Sequence, residues 1–231
     1  MTNGVGQGLA ANGVAPTVDD LRADGAGVPR SAHLVDPELP LQLWRRLDWR
    51  FLLPTPELGT VALAGHPDDF LTQALRLLDP DMLRLCAAGD VEPTANAVCD
   101  VVVLARPTYQ DLQAALSAVR PGGWICAEVR RRQVLTLGGL DTLNRCSRAF
   151  RQAGLVDVEA YWHAPSIDAC ARILPVDRRH VVRETLGRYR GQPFGLAKSI
   201  VGRLALACGV FGMLVPEGTV LGQRPLERHV S

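Results

Sequence analysis

The run CDVVVLA, residues 99–105, constrains the fold of this chain more than any other stretch. It is almost continuously β-branched or aliphatic, so a strand made from it is apolar on both faces. Such a strand has to be covered on both faces, which is the situation of a central strand in a parallel sheet. Parallel neighbours need crossover connections, and the flanking sequence supplies them. TVALAG (60–65) reads as a buried strand, and DDFLTQALRLL (68–78) spaces its apolar residues three and four apart, as a helix does. MLRLCA (82–87) reads as a second short strand. After the central run, YQDLQAALSAV (109–119) is an amphipathic helix, and RPGG (120–123) stops it and turns the chain into the strand WICAEV. LDTLNRCSRAFRQAGL (140–155) is a further helix ending at Gly154. VDVEAYWHAP (156–165) and DACARILPVD (168–177) follow each other closely enough to pair antiparallel. Alternating strands and helices predict an α/β fold: a mostly parallel sheet wrapped by helices, closed by an antiparallel edge strand.

Around this centre the chain divides into three expected parts. Residues 1–36 are rich in Gly, Ala, Asn and Asp and are expected to form a flexible tail, since they bury too little apolar surface to offset backbone ordering. Residues 37–176 form the α/β domain, including an N-terminal helix in PELPLQLWRRLDWRFLLP that is expected to pack Trp44 and Trp49 against the sheet. Residues 177–231 are expected to be a helical extension, with a basic helix in RRHVVRETLGRYR (178–190) and a second in GLAKSIVGRLALACGVFGMLV (195–215). The uninterrupted apolar part of the latter is about a dozen residues, against about 20 needed to span a bilayer. No transmembrane helix is therefore expected. A buried helix is the first reading, and docking on a protein partner or lying in a membrane interface are the alternatives.

The formal net charge of +1 gives no general pull toward nucleic acid or an anionic membrane surface. The six cysteines are dispersed without a CxxC pair, which reads as reduced core thiols. The N-terminus lacks the basic and apolar pattern of a secretory signal, so a cytoplasmic location is expected.

The succession of strand and turn at 60–68, CDVVVLARPTYQDLQAALSAVRPGGWICAEV, a helix ending in AGL and two closing strands resembles the class I S-adenosylmethionine-dependent methyltransferases. The resemblance covers roughly residues 57–176. It implies a Rossmann-like methyltransferase fold, with Asp100 opening the fourth strand of the family's pattern and Arg120, Pro121, Gly122 and Gly123 leading into the fifth. It also implies S-adenosylmethionine as the cofactor, with Gly65, His66, Asp68, Asp90 and Arg106 as the candidate binding residues. The first-strand loop departs from the family. Pro67 and Asp69 stand where later glycines would fall, and proline removes a donor and fixes φ where backbone has to approach a ligand. Asp68 and Asp69 suit the N-terminus of the following helix and can cap it. Only the twelve residues AGDVEPTANAVC separate the second strand from the central run, so the third-strand region is reduced.

GHPDD also resembles the zinc-dependent N-deacetylases of the GlcNAc-phosphatidylinositol deacetylase type. That resemblance implies zinc ligation and general-base chemistry at His66, Asp68 and Asp69. Phe70 replaces that family's glutamate, and no H-x-x-H pair supplies a third ligand, so no metal is expected. EVRRRQ leaves a strand at the edge where α/β sheets bind ligands, which makes Arg130, Arg131 and Arg132 candidates for an anionic ligand. His163 reads as a hydrogen-bonded structural residue rather than a base. The broken loop favours a methyltransferase-like protein with little or no catalysis, acting as a binding or accessory subunit. The alternatives are a divergent active methyltransferase and, behind it, a zinc deacetylase.

Overall fold

The structure, a computed structural model, describes residues 38–79, 82–84, 99–130, 139–188 and 195–226. Seven strands form one sheet in the order β2-β1-β3-β4-β7-β5-β6. They are β1 (Val61–Gly65), β2 (Leu83–Arg84), β3 (Cys99–Ala105), β4 (Val119–Arg130), β5 (Val156–Ala164), β6 (Arg172–Pro175) and β7 (Glu217–Gln223). β2, β1, β3 and β4 run parallel, β7 runs antiparallel between β4 and β5, and β6 pairs antiparallel on the far edge of β5. The expected mostly parallel α/β sheet with an antiparallel edge is therefore present. Among the described residues β2 forms the opposite edge, and the segment 85–98, with its reduced third-strand region, lies outside them.

The helices are α1 (Glu38–Arg45), α2 (Asp69–Leu78), α3 (Tyr109–Ala118), α4 (Leu143–Gln152), α5 (Arg179–Arg188), α6 (Gly195–Ala207) and α7 (Phe211–Leu214). Their starts are written in the sequence. Thr108 and Asp111 form a reciprocal capping box at α3, Thr142 accepts the Arg145 N–H at α4, and Asp68 accepts the Leu71 N–H at 2.7 Å at α2. The central run behaves as its composition requires. Val101 and Val103 join Leu63, Leu71, Leu75 and Trp49 in one core, on the face covered by α1 and α2. Val102 and Leu104 join Ile125, Leu112, Phe150 and Val182 in the other, under α3, α4 and α5. Cys99, Cys126 and Cys146 are buried free thiols, as expected, whereas Cys208 at the end of α6 is exposed.

Three expectations need correction. The helix expected around Trp44 stops at Arg45 and is followed by a 3-10 turn over Asp48–Leu52. Trp49 is fully buried from that turn, but Trp44 and Phe51 are exposed and carry the Arg50 guanidinium over their rings, at 5.2 and 4.7 Å. The segment 177–231 is not only a helical extension: β7 enters the middle of the sheet, pairing with seven consecutive residues of β4. Nothing local announces this strand, because its partners lie far away in sequence. Its glycines fit it there: a side chain at Gly218 would fall 2.2 Å from the Tyr161 carbonyl of β5. Finally, the apolar helix expected to be buried breaks at Gly209, with φ +72°, into α6 and α7. Its small residues face inward, with Ser199 and Ala205 buried, while Leu196, Ile200 and Leu204 face out. No helix of the described residues is long and apolar enough to cross a membrane.

A chain ending at Pro216 lacks β7 and leaves facing edges on β4 and β5 without partners. It is expected to lose its cooperative melting transition, which calorimetry and near-ultraviolet circular dichroism would read.

Candidate functional site

The ligand-binding edge of an open parallel sheet lies at the carboxyl ends of its strands. Here those ends carry Gly65 on β1, Ala105 and Arg106 after β3, and Glu128 and Arg130 on β4. The turn after β1 is closed by the protein itself. Gly65 has φ +84°, and a side chain there would fall 2.4 Å from the Ala105 carbonyl oxygen, so β3 occupies the space the glycine leaves. The His66 N–H donates to that same carbonyl at 2.7 Å, and the His66 carbonyl accepts from Arg106 Nε at 2.9 Å. Arg106, a non-glycine residue at φ +48°, also donates its backbone N–H to the Glu128 carbonyl. It thus ties the ends of β1, β3 and β4 together.

Behind this turn lies an ionic cluster that the sequence did not reveal. Arg46, directly after α1, is buried and grips Glu128 with both terminal nitrogens at 2.6 Å. Its guanidinium also meets Asp68 at 3.4 Å and Asp168 at 3.5 Å. Arg130 forms a two-bonded pair with Asp168, at 2.9 and 2.6 Å, and reaches Asp68 at 3.4 Å. The one available sequence signal was Glu128, a carboxylate ending an apolar strand and so in need of a buried counter-charge.

Burial pushes the Glu128 carboxyl above its ordinary value against the opposing pull of Arg46. Burial also pushes Asp68 up, but the Leu71 N–H and the two guanidiniums outweigh it and hold that carboxyl below its ordinary value. Arg130 loses solvation in the same cluster, yet the Asp168 and Glu128 carboxylates keep it above its usual value. His163 on β5 is buried, with Nε2 2.8 Å from the Thr219 hydroxyl of β7. Burial, reinforced by the charges of Arg46 and Arg130, lowers its pKa to about 4, so it is neutral near pH 7 and acts as a structural hydrogen-bonding group.

The structure thus brings Gly65, His66, Asp68, Arg106 and Arg130 to one edge. Asp90, Arg131 and Arg132 lie outside the described residues. Asp100 does not join them. It sits at the opposite end of β3, accepting the Thr60 N–H at 2.7 Å and pairing with Arg120 at 2.6 Å, so it fastens the RPGG turn to β1. Asp68 caps α2 through one oxygen and meets Arg46 and Arg130 through the other. It has no oxygen left for zinc, and among the described residues no three His, Cys, Asp or Glu side chains are grouped to hold a metal.

One small cavity at this edge, lined by Arg106, Pro107, Thr108, Arg130, Gly139, Leu140 and Asp141, has a volume of about 10 Å³, against about 300–1,000 Å³ for ordinary small-molecule sites.

No protein-family model matches the sequence, and no curated protein matches it. Solved structures of similar shape do exist. A Thermotoga maritima S-adenosylmethionine-dependent methyltransferase, described as a possible histamine N-methyltransferase, aligns at 10% identity over 79% of this chain and 89% of its own, with a TM-score of 0.42. A chain of the Haloferax volcanii complex between the Trm112 methyltransferase activator and a methyltransferase aligns at 16% identity over 84% and 95%, with a TM-score of 0.44. A sarcosine dimethylglycine methyltransferase of Galdieria sulphuraria aligns at 10% identity over 81% and 86%, with a TM-score of 0.39. The sheet order, with antiparallel β7 set into an otherwise mostly parallel sheet, is that of a Rossmann-like α/β fold.

Two outcomes follow from the cluster. Arg46→Met strands the Glu128 carboxylate and is expected to cost about 3–5 kcal/mol of stability, while Arg46→Met combined with Glu128→Leu recovers most of that loss in chemical denaturation. For His163, the unfolded imidazole takes a proton near pH 6.5 and the folded one only near pH 4, so the unfolded state binds more protons in between. Stability therefore falls as pH drops through that window, by about 3 kcal/mol in all. Denaturation measured against pH is expected to show this loss in the wild type and to lose it in His163→Gln.

Proposed function

We propose that this chain is a methyltransferase-like protein with weak or no catalysis of its own that acts by binding, as an accessory subunit. The observation that carries the reading is the turn Gly65–Asp68. Its glycine, the His66 N–H and carbonyl, and both Asp68 oxygens are engaged by β3, Arg106, α2 and the cluster around Arg46. A cofactor seated against this turn would have to displace these contacts and break backbone pairing between β1 and β3.

Methyl transfer also requires a nucleophile held in line with the sulfonium and a group to take its proton. At this edge His163 is sealed behind the strands, and Glu128 is locked to Arg46. Both side chains serve the fold. A surface open to binding is the outward face of α6 and α7, where the chain exposes large aliphatic side chains.

Calorimetric titration of the purified chain with S-adenosylmethionine and S-adenosylhomocysteine tests the reading. No saturable heat is expected up to millimolar ligand. Saturable one-to-one binding at micromolar ligand overturns the reading and makes the protein a divergent methyltransferase. Gly65→Asp is unsuitable as a pocket control, because any side chain at that position collides with β3 whether or not a ligand binds there.

A further inference from the structure

The net charge of the chain is close to zero, but its distribution is not even. Residues 178–216 carry six arginines and one lysine against a single acidic residue, Glu184, in a chain whose totals are 25 basic and 24 acidic. The same segment holds the most exposed apolar surface. Leu196, Ile200, Val201 and Leu204 on α6 are each more than half exposed, and Met213 and Leu214 on α7 are close to half. Leu196, Ile200 and Leu204 recur every fourth residue, so they form one stripe along the helix.

This stripe is not surface left over from poor packing. The opposite side of α6 is closely fitted: a side chain at Gly202 would fall 2.8 Å from Leu186 of α5, and Ser199 and Ala205 are buried. In the neighbouring α5, Arg179, Arg183 and Arg188 are exposed, Arg188 pairing with Glu184 at 3.0 Å, and Arg178 just before the helix is exposed as well. Beneath α6 and α7 an apolar groove of about 630 Å³, lined by Trp162, Leu186, Val201, Phe211 and Leu214 among others, extends the apolar surface. An occupant of this face has to be apolar where the aliphatic side chains enter and negatively charged around them. At thirteen residues α6 is about 20 Å long, too short to span a bilayer.

We propose that α5, α6 and α7 form an interfacial membrane-binding surface for anionic lipid, in which Leu196, Ile200 and Leu204 insert at the level of the headgroups and Arg179 and Arg183 meet lipid phosphates. The physics is that of an amphipathic interfacial helix, in which buried apolar area and attraction to anionic headgroups add. A purely acidic partner satisfies the arginines but not the exposed Leu196, Ile200, Val201 and Leu204, and nucleic acid offers those side chains nothing. This inference deepens, and rests on, the binding role proposed above. Vesicle partition and cofactor titration are read separately, so either can fail alone.

The full chain is mixed with vesicles of phosphatidylcholine alone, and with vesicles in which about one lipid in three is phosphatidylglycerol, and bound protein is separated by flotation. Partition is expected to be at least about tenfold stronger on the anionic vesicles and to fall steeply as salt is raised. The exposed pair Ile200→Ser/Leu204→Ser is expected to lower it by at least about tenfold, and Arg179→Gln/Arg183→Gln by about fivefold per arginine with a shallower salt dependence. These positions are exposed, so melting temperatures are expected to stay unchanged. Absent binding, equal binding to neutral vesicles, or wild-type partition that ignores salt each overturns the proposal. So does a concentration-dependent dimer in lipid-free sedimentation that Ile200→Ser/Leu204→Ser abolishes, since the face then belongs to a second copy of the chain.

Discussion

The bidentate pair between Arg46 and Glu128 adds a directional bond between the N-terminal helix and the sheet to the apolar contacts of Leu43, Leu47 and Trp49. Glu128 stands among the core residues Ile125, Cys126, Ala127 and Val129 of β4, and its carboxylate is almost wholly removed from water. A charge in that position is tolerable only with a fixed partner and satisfied lone pairs, and a planar guanidinium provides both. Arg46 can reach it only if α1 ends where it does and the 3-10 turn carries Trp49 into the core beside it. The N-terminal helix is thus fastened to the sheet by a directional contact, not by hydrophobic area alone. Asp68 and Asp168 then gather around the same guanidinium, and Arg130 gathers around them.

That arrangement decides what the carboxyl edge of the sheet can do. In an open α/β sheet this edge is usually left uncommitted, so that backbone donors and loop side chains can turn toward a ligand. Here the donors turn toward the protein: the cap of α2, the N–H of His66 and the side chain of Arg106 all end on protein atoms. The left-handed backbone at Arg106 is the kind of local strain often kept for a ligand site, but it serves to join three strand ends. A fold of this type can keep its topology while the chemistry at its edge is replaced by internal ion pairs.

Much of the framework was legible in the sequence, for local reasons. The composition of the central run required burial on both faces. Asp68 announced the helix it caps, and the Pro-Gly-Gly announced the end of α3, although Val119–Gly123 already belong to β4. What was not legible depended on distance or on the direction of a face. EGTVLGQ is a short strand with two glycines, and its identity as β7 comes from β4 and β5, about a hundred and about sixty residues earlier. In α6 hydropathy pointed to burial, but Ser199, Ala205 and Leu206 are buried while Leu196, Ile200, Val201 and Leu204 look outward, which a count of apolar residues cannot distinguish. In the turn after β1 the departure of Pro67 and Asp69 from glycine was visible, while the pairing of Asp68 with Arg46, more than twenty residues away, was not.

The position of β7 has a consequence for the life of the protein before it is complete. A ribosome delivers β4 and β5 well before β7, so during synthesis the two longest strands of the sheet have no neighbour between them. Their inner edges present unpaired N–H and carbonyl groups to any other extended chain nearby. The nascent chain therefore has to wait for one of its most distant contacts before its centre can close, a topology that slows folding and lengthens exposure. The glycines of β7 that let it slip close against β5 and α4 are what make such a late arrival sterically feasible.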